Sequence, residues 1–595
     1  MPMTSRIPRA ANQTWLLGRP QMTQISFQAG AGIRRARFMS TSSPEPAHKT
    51  LGGLQSFGAM ACVAAGAGVI GWVLGGGRRE SGSVVEKTKE QKDVKGIFKL
   101  HRPEYASAAE LQDAINAIRE EVPGDDIIST DDDDLRAHGY SSWATINPGR
   151  LPVAVAYPRS TADVSTIARI CNKYRVPLIP YSGGTSIEGN FSAPFGGISV
   201  DFAYMDSIVA LHENDMDVVV QPAVGWQDLN AELAKRGVNL FFPIDPGPGA
   251  RIGGMVGTNC SGTHAVRYGT MKDWVVNLTV VLADGTVVKT RKRPRKSSAG
   301  YNLNGIFVGS EGTLGLVTEI TLKLAVVPEH LSVAVVTFPT IRDAASAAAD
   351  VMQAGIPVAA MELMDDVQMK VVNDAGSTAP RVWAETPTLF FKFTGSQSGV
   401  AECIQQVQAI SRKYKAGGFE FARDEADKAL LWSARKEALW SILALRKDKQ
   451  EFSARTAAKT LADFETYAVG TDVAVPLSRL VDMIEVSKQD SAELGIFVSI
   501  LGHVGDGNFH ESIIYDASNS EEVAKVKACV RRMVDRAIEM DGTCTGEHAV
   551  GMAKKDYLIR ELGIETIGVM KAIKQALDPK WIMNPGKIMD VPGVE

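Results

Sequence analysis

The chain has 595 residues, a formal net charge of −4 and 45% hydrophobic residues. That length exceeds one ordinary domain and suffices for sizeable cores, while 22% charged and 7% aromatic residues mark a globular protein rather than a disordered or collagenous one. The near-neutral balance gives no pull toward nucleic acid, and six cysteines without a C-x-x-C pair exclude a disulfide scaffold, a zinc ribbon and a thioredoxin-like motif.

No acidic residue precedes Glu45, whereas Arg6, Arg9, Arg19, Arg34, Arg35 and Arg37 are interspersed with Ser and Thr. This is the composition of a mitochondrial transit peptide, assigned to 1–45. Residues 51–77 carry no charge and stop at Arg78-Arg79-Glu80, a length suited to a single transmembrane span, though rich in Gly and Ala. A presequence followed by such a span places the rest of the chain in the intermembrane space, anchored to the inner mitochondrial membrane. Residues 78–147 read as a polar lead-in, with Asp131–Asp134 as a solvated turn.

From Thr161 to Val176, Val164, Ile167, Ala168 and Cys171 repeat at helical spacing, and Ser160 or Thr161 is placed to cap. A short apolar strand, Val176 to Tyr181, leads into Ser182-Gly183-Gly184-Thr185-Ser186-Ile187-Glu188-Gly189. Paired glycines let backbone N–H groups crowd round an anion, and the hydroxyls add donors, which suits a pyrophosphate. Strands are expected at 197–202, 207–211, 217–222 and 239–242, with a helix at 226–236. The stretch 245–262 is too rich in Gly and Pro to be helix throughout and reads as backbone wrapped round a large ligand. A third such segment is Gly309–Thr318. None of the three matches a Rossmann loop or a P-loop.

In this order, the three segments resemble the flavin-binding domain of the vanillyl-alcohol oxidase and p-cresol methylhydroxylase superfamily, over about 148–327. The resemblance implies an α+β fold: a two-subdomain FAD-binding domain (148–327), then an α+β substrate or cap domain (328–595) whose C-terminal helices return to the flavin. It assigns Ser182, Gly183, Gly184, Thr185, Ser186 and Gly189 to the pyrophosphate. Pro246, Gly253, Gly254, Gly257, Thr258, Ser261 and Gly262 would line the flavin, with Glu311, Gly312, Val317 and Thr318 closing its other side. The first loop has no His or Cys, so the FAD is expected to be non-covalent.

Near the C-terminus, His503 and His510 flank Gly505-Asp506-Gly507, which can turn the chain so that both imidazoles meet. Glu547 and His548 follow in Gly546–Gly551. His503, His510 and Glu547 make a His₂Glu set that suits Zn²⁺ with an open position, and Mn²⁺ fits as a second choice. His548 stands open as ligand, base or structural residue.

These segments resemble the FAD-linked D-2-hydroxyacid dehydrogenases. That resemblance places the metal on His503, His510 and Glu547, makes His548 the catalytic base and Arg435 the carboxylate anchor, and gives Asn584 to the motif that closes on the flavin. Within the family it points to the branch that oxidises D-lactate to pyruvate in fungal mitochondria, with cytochrome c as acceptor. Gly470, where relatives acting on D-2-hydroxyglutarate present a Lys, and Leu439, one helical turn from Arg435, favour a short monocarboxylate. Activity on another D-2-hydroxyacid (D-2-hydroxyglutarate or glycolate), an alkyl-glycerone-phosphate synthase, and a non-catalytic membrane-anchored flavin protein remain the alternatives. Val523, Val526, Val530, Met533, Val534 and Ala537 read as a core helix stripe.

Overall fold

The computed structural model describes residues 101–141, 144–445, 466–516 and 518–594. The expected transit peptide and apolar span lie outside the described residues. Among the described residues, no helix is long and apolar enough to cross a membrane.

The first layer is a sheet of β1 (Ile128–Ser129), β2 (Ala154–Ala156), β3 (Leu178–Tyr181) and β4 (Ile198–Asp201), in spatial order β1-β2-β4-β3. β2, β4 and β3 run parallel, and β1 is antiparallel to β2. The helix Thr161–Tyr174 packs here, because Val164, Ile167, Ala168 and Cys171 form one buried stripe and the Ser160 side chain accepts the Asp163 N–H. The lead-in is not simply polar linker. Ala108–Glu121 is a helix closed by a Ser107/Glu110 capping box, and its Ala114, Ile115 and Ile118 join the same core. Only a narrow stripe of it is apolar, which hid it among the charges. The acidic run is likewise a helix start: Asp131 caps Asp132–Ala137, and its carboxylates sit at the positive end of that helix.

The second sheet is antiparallel. It comprises β5 (Ile208–His212), β6 (Asp217–Val220), β7 (Val275–Val281), β8 (Val287–Lys289) and β9 (Leu316–Lys323), in order β5-β6-β9-β7-β8. The glycine-rich stretch 245–262 is mostly loop, as expected, but Ile252–Thr258 forms a short helix, with Ile252, Met255 and Val256 buried beneath it.

From His330 onward the chain builds a large antiparallel sheet: β10 (His330–Thr337), β11 (Ala360–Met364), β12 (Thr388–Gly395), β13 (Glu420–Phe421), β14 (Thr466–Gly470), β15 (Val473–Ala474), β16 (Val498–Gly502) and β17 (Asn508–Asp516). The order is β13-β10-β12-β11-β16-β17-β14, and β15 pairs with β17. The two faces differ. Phe391 and Phe393 point toward the larger core with the helices Ile341–Gln353 and Ser520–Glu539, the latter burying Val526, Met533, Val534 and Ala537 as its stripe requires. Phe390 and Met364 point toward the helices Asp366–Ala375 and Glu425–Lys436. Each such aromatic removed from water contributes on the order of 2–3 kcal/mol.

After the helix Lys555–Leu577 the chain returns to the first sheet. Leu178 N–H donates to Ile582 O and Asn584 N–H to Leu178 O, each at 2.7 Å, so residues 582–584 extend the edge at β3. The fold is therefore α+β, and its C-terminal segment does come back to the glycine loop.

Candidate active site

A cavity of about 840 Å³ runs between the glycine-rich segments and the large sheet. Its walls include Ser182, Gly183, Gly184, Thr185, Ser186, Pro246, Gly253, Gly254, Gly257, Thr258, Gly262, Glu311, Gly312, Val317 and Asn584 at one end, and Arg435, His503, His510, Glu547 and His548 at the other. The residues expected from three separated segments thus meet on one void. Gly189, Ser261 and Thr318 are not on its wall. Gly189 is a positive-φ turn against Ile146 and Met552, Ser261 donates to Glu547 Oε2 at 2.6 Å, and Thr318 is buried between Thr161 and the Thr279 carbonyl. Glu311 is on the wall, but its carboxylate is committed elsewhere: it accepts the N–H groups of Val550 and Gly551 and the Asn190 amide. Asn584 donates to the carbonyls of Asn190 and Glu311, at 3.0 and 2.7 Å, which ties the C-terminal return to both.

The cavity fits a dinucleotide flavin by its backbone. A Cβ on Gly254 would meet nothing within 4 Å and would stand in the void, whereas one on Gly183 would strike the Gly249 carbonyl at 2.9 Å. Main chain can approach a ligand here only because side chains are missing.

The other end is polar and closely connected. His503 and His510 lie on either side of the β16–β17 turn. Gly507 makes that turn at φ +73°, where a Cβ would come within 2.2 Å of the Val475 carbonyl. The two rings stand 5.6 Å apart, edge to face. His503 Nδ1 lies 2.8 Å from Glu362 Oε1 and His510 Nδ1 lies 3.0 Å from the Thr471 carbonyl. Both acceptors require the hydrogen on Nδ1. Each Nε2 is thereby turned toward Glu547 Oε1, at 3.1 and 3.4 Å. Imidazoles oriented by such partners, converging with a carboxylate, are the donor chemistry of a His₂Glu metal site. All three ligand atoms fall within 4.8 Å of one another. Burial opposes charge on His503, but Glu362 and Glu547 outweigh it and hold its pKa well above the ordinary value. Burial likewise opposes the Glu547 charge, and His503 then holds that carboxyl well below the usual range.

His548 stacks on His510 at 4.9 Å between ring centroids. Its Nδ1 is buried without a hydrogen-bond partner, 3.9 Å from Asp472 Oδ2 and 4.0 Å from Glu188 Oε1. Burial lowers its pKa; Asp472 opposes that shift, while His510 and Lys554 reinforce it. Asp472 is the anchor of this loop: Oδ2 accepts the Thr545 hydroxyl at 2.7 Å and the N–H groups of Glu547 and His548 at 3.0 and 2.9 Å.

Arg435 ends the helix Glu425–Lys436. Its Nε donates to Glu362 Oε2 at 2.8 Å, so a single carboxylate holds both the Arg and His503. Leu439 and Gly470 both line the cavity, but Leu439 belongs to a second helix, Ala438–Ala444, because Glu437 interrupts the first. Leu439 is therefore not one turn along the same helix as Arg435. Sequence reasoning missed Glu362, Lys392, His264, Asp472 and Glu188. The available signal was a charge inside an apolar strand, as in Ala360-Met361-Glu362-Leu363-Met364 and Phe390-Phe391-Lys392-Phe393, where burial requires a partner.

Residues 152–291 match the family described as FAD binding domain, and residues 327–588 match FAD linked oxidases, C-terminal domain. The chain is 45% identical over 532 residues to a protein of Kluyveromyces lactis named D-lactate dehydrogenase [cytochrome], mitochondrial, covering 88% of this chain and 89% of that one. The chain belongs to the FAD-linked D-2-hydroxyacid dehydrogenase family. An Arabidopsis thaliana protein of the same name is 46% identical over 465 residues, 78% of each chain. Among solved structures, p-cresol methylhydroxylase with substrate bound superposes with a TM-score of 0.66 at 17% identity, over 83% of this chain and all of the other, a likeness of fold. This family member is an FAD-dependent oxidoreductase, and its fold is that of p-cresol methylhydroxylase.

Proposed function

We propose that the protein oxidises D-lactate to pyruvate in the mitochondrion and passes the electrons to cytochrome c. The observation that carries this is the junction at Glu362, which sets a carboxylate-binding Arg435 beside the His503–Glu547–His510 cluster and His548 on the wall of a flavin-sized cavity. Identity to the D-lactate dehydrogenases over most of the chain supports the substrate.

FAD would be held by Ser182–Ser186, Gly253, Gly254, Gly257, Thr258, Gly262, Gly312, Val317 and Asn584, without a covalent bond, and when bound it supplies the acceptor for a hydride. A divalent metal, Zn²⁺ in preference to Mn²⁺, would be held by His503, His510 and Glu547 and supplies Lewis acidity toward the substrate hydroxyl. Arg435 takes the substrate carboxylate through its planar fork, leaving Nε on Glu362. His548 accepts the hydroxyl proton on its imidazole, and the loop fixed by Asp472 keeps that ring beside His510. Leu439 presents apolar surface, and Gly470 no charge, to the rest of the substrate. The domains divide at about residue 327, with FAD contacts chiefly before it and substrate contacts after it. Membrane anchorage through 51–77, facing the intermembrane space, completes the proposal.

Anaerobic mixing of the holoenzyme with D- and L-lactate tests it. Rapid bleaching of the flavin by the D-isomer alone is expected, and chelation should slow turnover while FAD stays bound. Reduction by D-2-hydroxyglutarate or glycolate in preference to D-lactate would overturn the substrate assignment.

A further inference from the structure

Among the cations on the substrate-domain wall of the cavity, Arg435 and Lys392 are balanced differently. Arg435 meets a carboxylate at contact, with Nε 2.8 Å from Glu362 Oε2. Lys392, on β12, is held by uncharged groups: Nζ donates to His264 Nε2 at 3.2 Å and stands 4.0 Å from the centroid of the Trp432 ring. His264 Nδ1 faces the Pro243 carbonyl at 3.2 Å, which puts its hydrogen on Nδ1 and leaves Nε2 as an acceptor. Among the described residues, no carboxylate comes within ion-pair distance of the Lys392 ammonium.

This cation is expensive. It projects from the same face as Phe390, in a strand whose neighbours Phe391 and Phe393 are fully buried. Burial disfavours its charge and lowers its pKa, with Asp245 and Glu362 pulling the other way and Arg435 adding to the fall, so an anion seated beside it would restore the ammonium. The sheet needs no such group for packing. His264 from the FAD domain and Trp432 from the Arg435 helix hold the ammonium at the cavity wall, with N–H bonds left to face the void.

We propose that Lys392 binds the carboxylate of the 2-hydroxyacid substrate and supplies the net positive charge that draws it in, while Arg435 supplies the directed fork. This rests on reading the cavity as a 2-hydroxyacid site. Arg435 already shares its charge with Glu362, so the Arg–Glu pair orients an anion more than it attracts one. Lys392 has no carboxylate at contact; Asp245 and Glu362 act on it only from longer range. His264 and Trp432 are positioning residues for its ammonium.

The test uses holoenzyme carrying Lys392→Met or Lys392→Arg, each checked for full FAD content. Anaerobic reduction by D-lactate is measured across concentration, and oxalate is titrated separately as a non-reducing anion, followed by the change in flavin absorbance. We expect Lys392→Met to raise the KM for D-lactate at least tenfold, with a much smaller fall in kcat, and to weaken oxalate by a similar factor. Lys392→Arg should recover most of both. An unchanged oxalate affinity in Lys392→Met overturns the proposal, as does a loss confined to kcat. If D-lactate fails to reduce the wild-type flavin, the functional reading falls, and oxalate binding alone then decides the role of Lys392.

Discussion

Replacing Glu362 by Gln isolates the junction on which the site depends. The carboxylate is almost fully buried and accepts two hydrogen bonds of 2.8 Å, one on each oxygen, from Arg435 Nε and His503 Nδ1. Gln has nearly the same volume but only one acceptor oxygen. Its NH₂ must then face either the Arg435 N–H or the His503 N–H, donor against donor. A charge-assisted hydrogen bond contributes about 1.5–3 kcal/mol, so losing one corresponds to a fall of roughly 10- to 150-fold in kcat/KM for D-lactate. Which parameter moves tells which partner is released. A freed Arg435 raises KM, whereas a freed His503 ring weakens metal retention, read as metal per FAD after dialysis. Stopped-flow flavin reduction measures the first. A variant with full FAD content, wild-type kcat/KM and wild-type metal retention would refute the coupling of the two arms through Glu362.

His548→Ala should leave the yellow cofactor bound and abolish its reduction by D-lactate; reduction at the wild-type rate removes His548 as the base. Gly254→Val places methyl groups in a space where a Cβ meets no protein atom within 4 Å, so FAD affinity should fall at least tenfold while the urea midpoint of the FAD-free chain stays within experimental error. Lys587 is buried, donates to the Ser192 carbonyl and Asn584 Oδ1, and has its pKa pushed down to about 7 chiefly by burial, against the pull of Glu311. Its unfolded pKa is higher. The folded state therefore bears the cost of a buried ammonium below pH 7 and is progressively relieved as pH rises from 7 toward 10. Lys587→Met should accordingly be less destabilising at pH 6 than at pH 9, by about 2 kcal/mol in urea unfolding. An equal effect at both values would show that the lysine does not titrate in the native chain.

Local signals carried much of this architecture. The stripe from Val164 to Cys171, the capping Ser160 and the short strands around them follow from nearest-neighbour chemistry, and the structure places them within a few residues of expectation. The histidine hairpin was legible because Gly505 and Gly507 bracket a turn. What escaped was long-range. Glu362 meets His503 and Arg435 across 141 and 73 residues, and Lys392 meets His264 across 128. No local pattern encodes such a pairing. The family resemblance assigned both Val317 and Thr318 to the flavin, yet only Val317 reaches the cavity, because successive side chains along β9 turn to opposite faces. The helix Ala108–Glu121 was missed for a related reason: three buried residues in fourteen leave a composition dominated by its wet side.

The return of the chain at 582–584 has a consequence for biogenesis. The edge of the first sheet is extended at β3, and the main-chain carbonyls of Asn190 and Glu311 are both engaged, by residues translated more than 250 positions after Glu311. A nascent chain still tethered to the ribosome has half a clasp. The clasp on the glycine-rich loop is therefore completed only by the last residues to be synthesised.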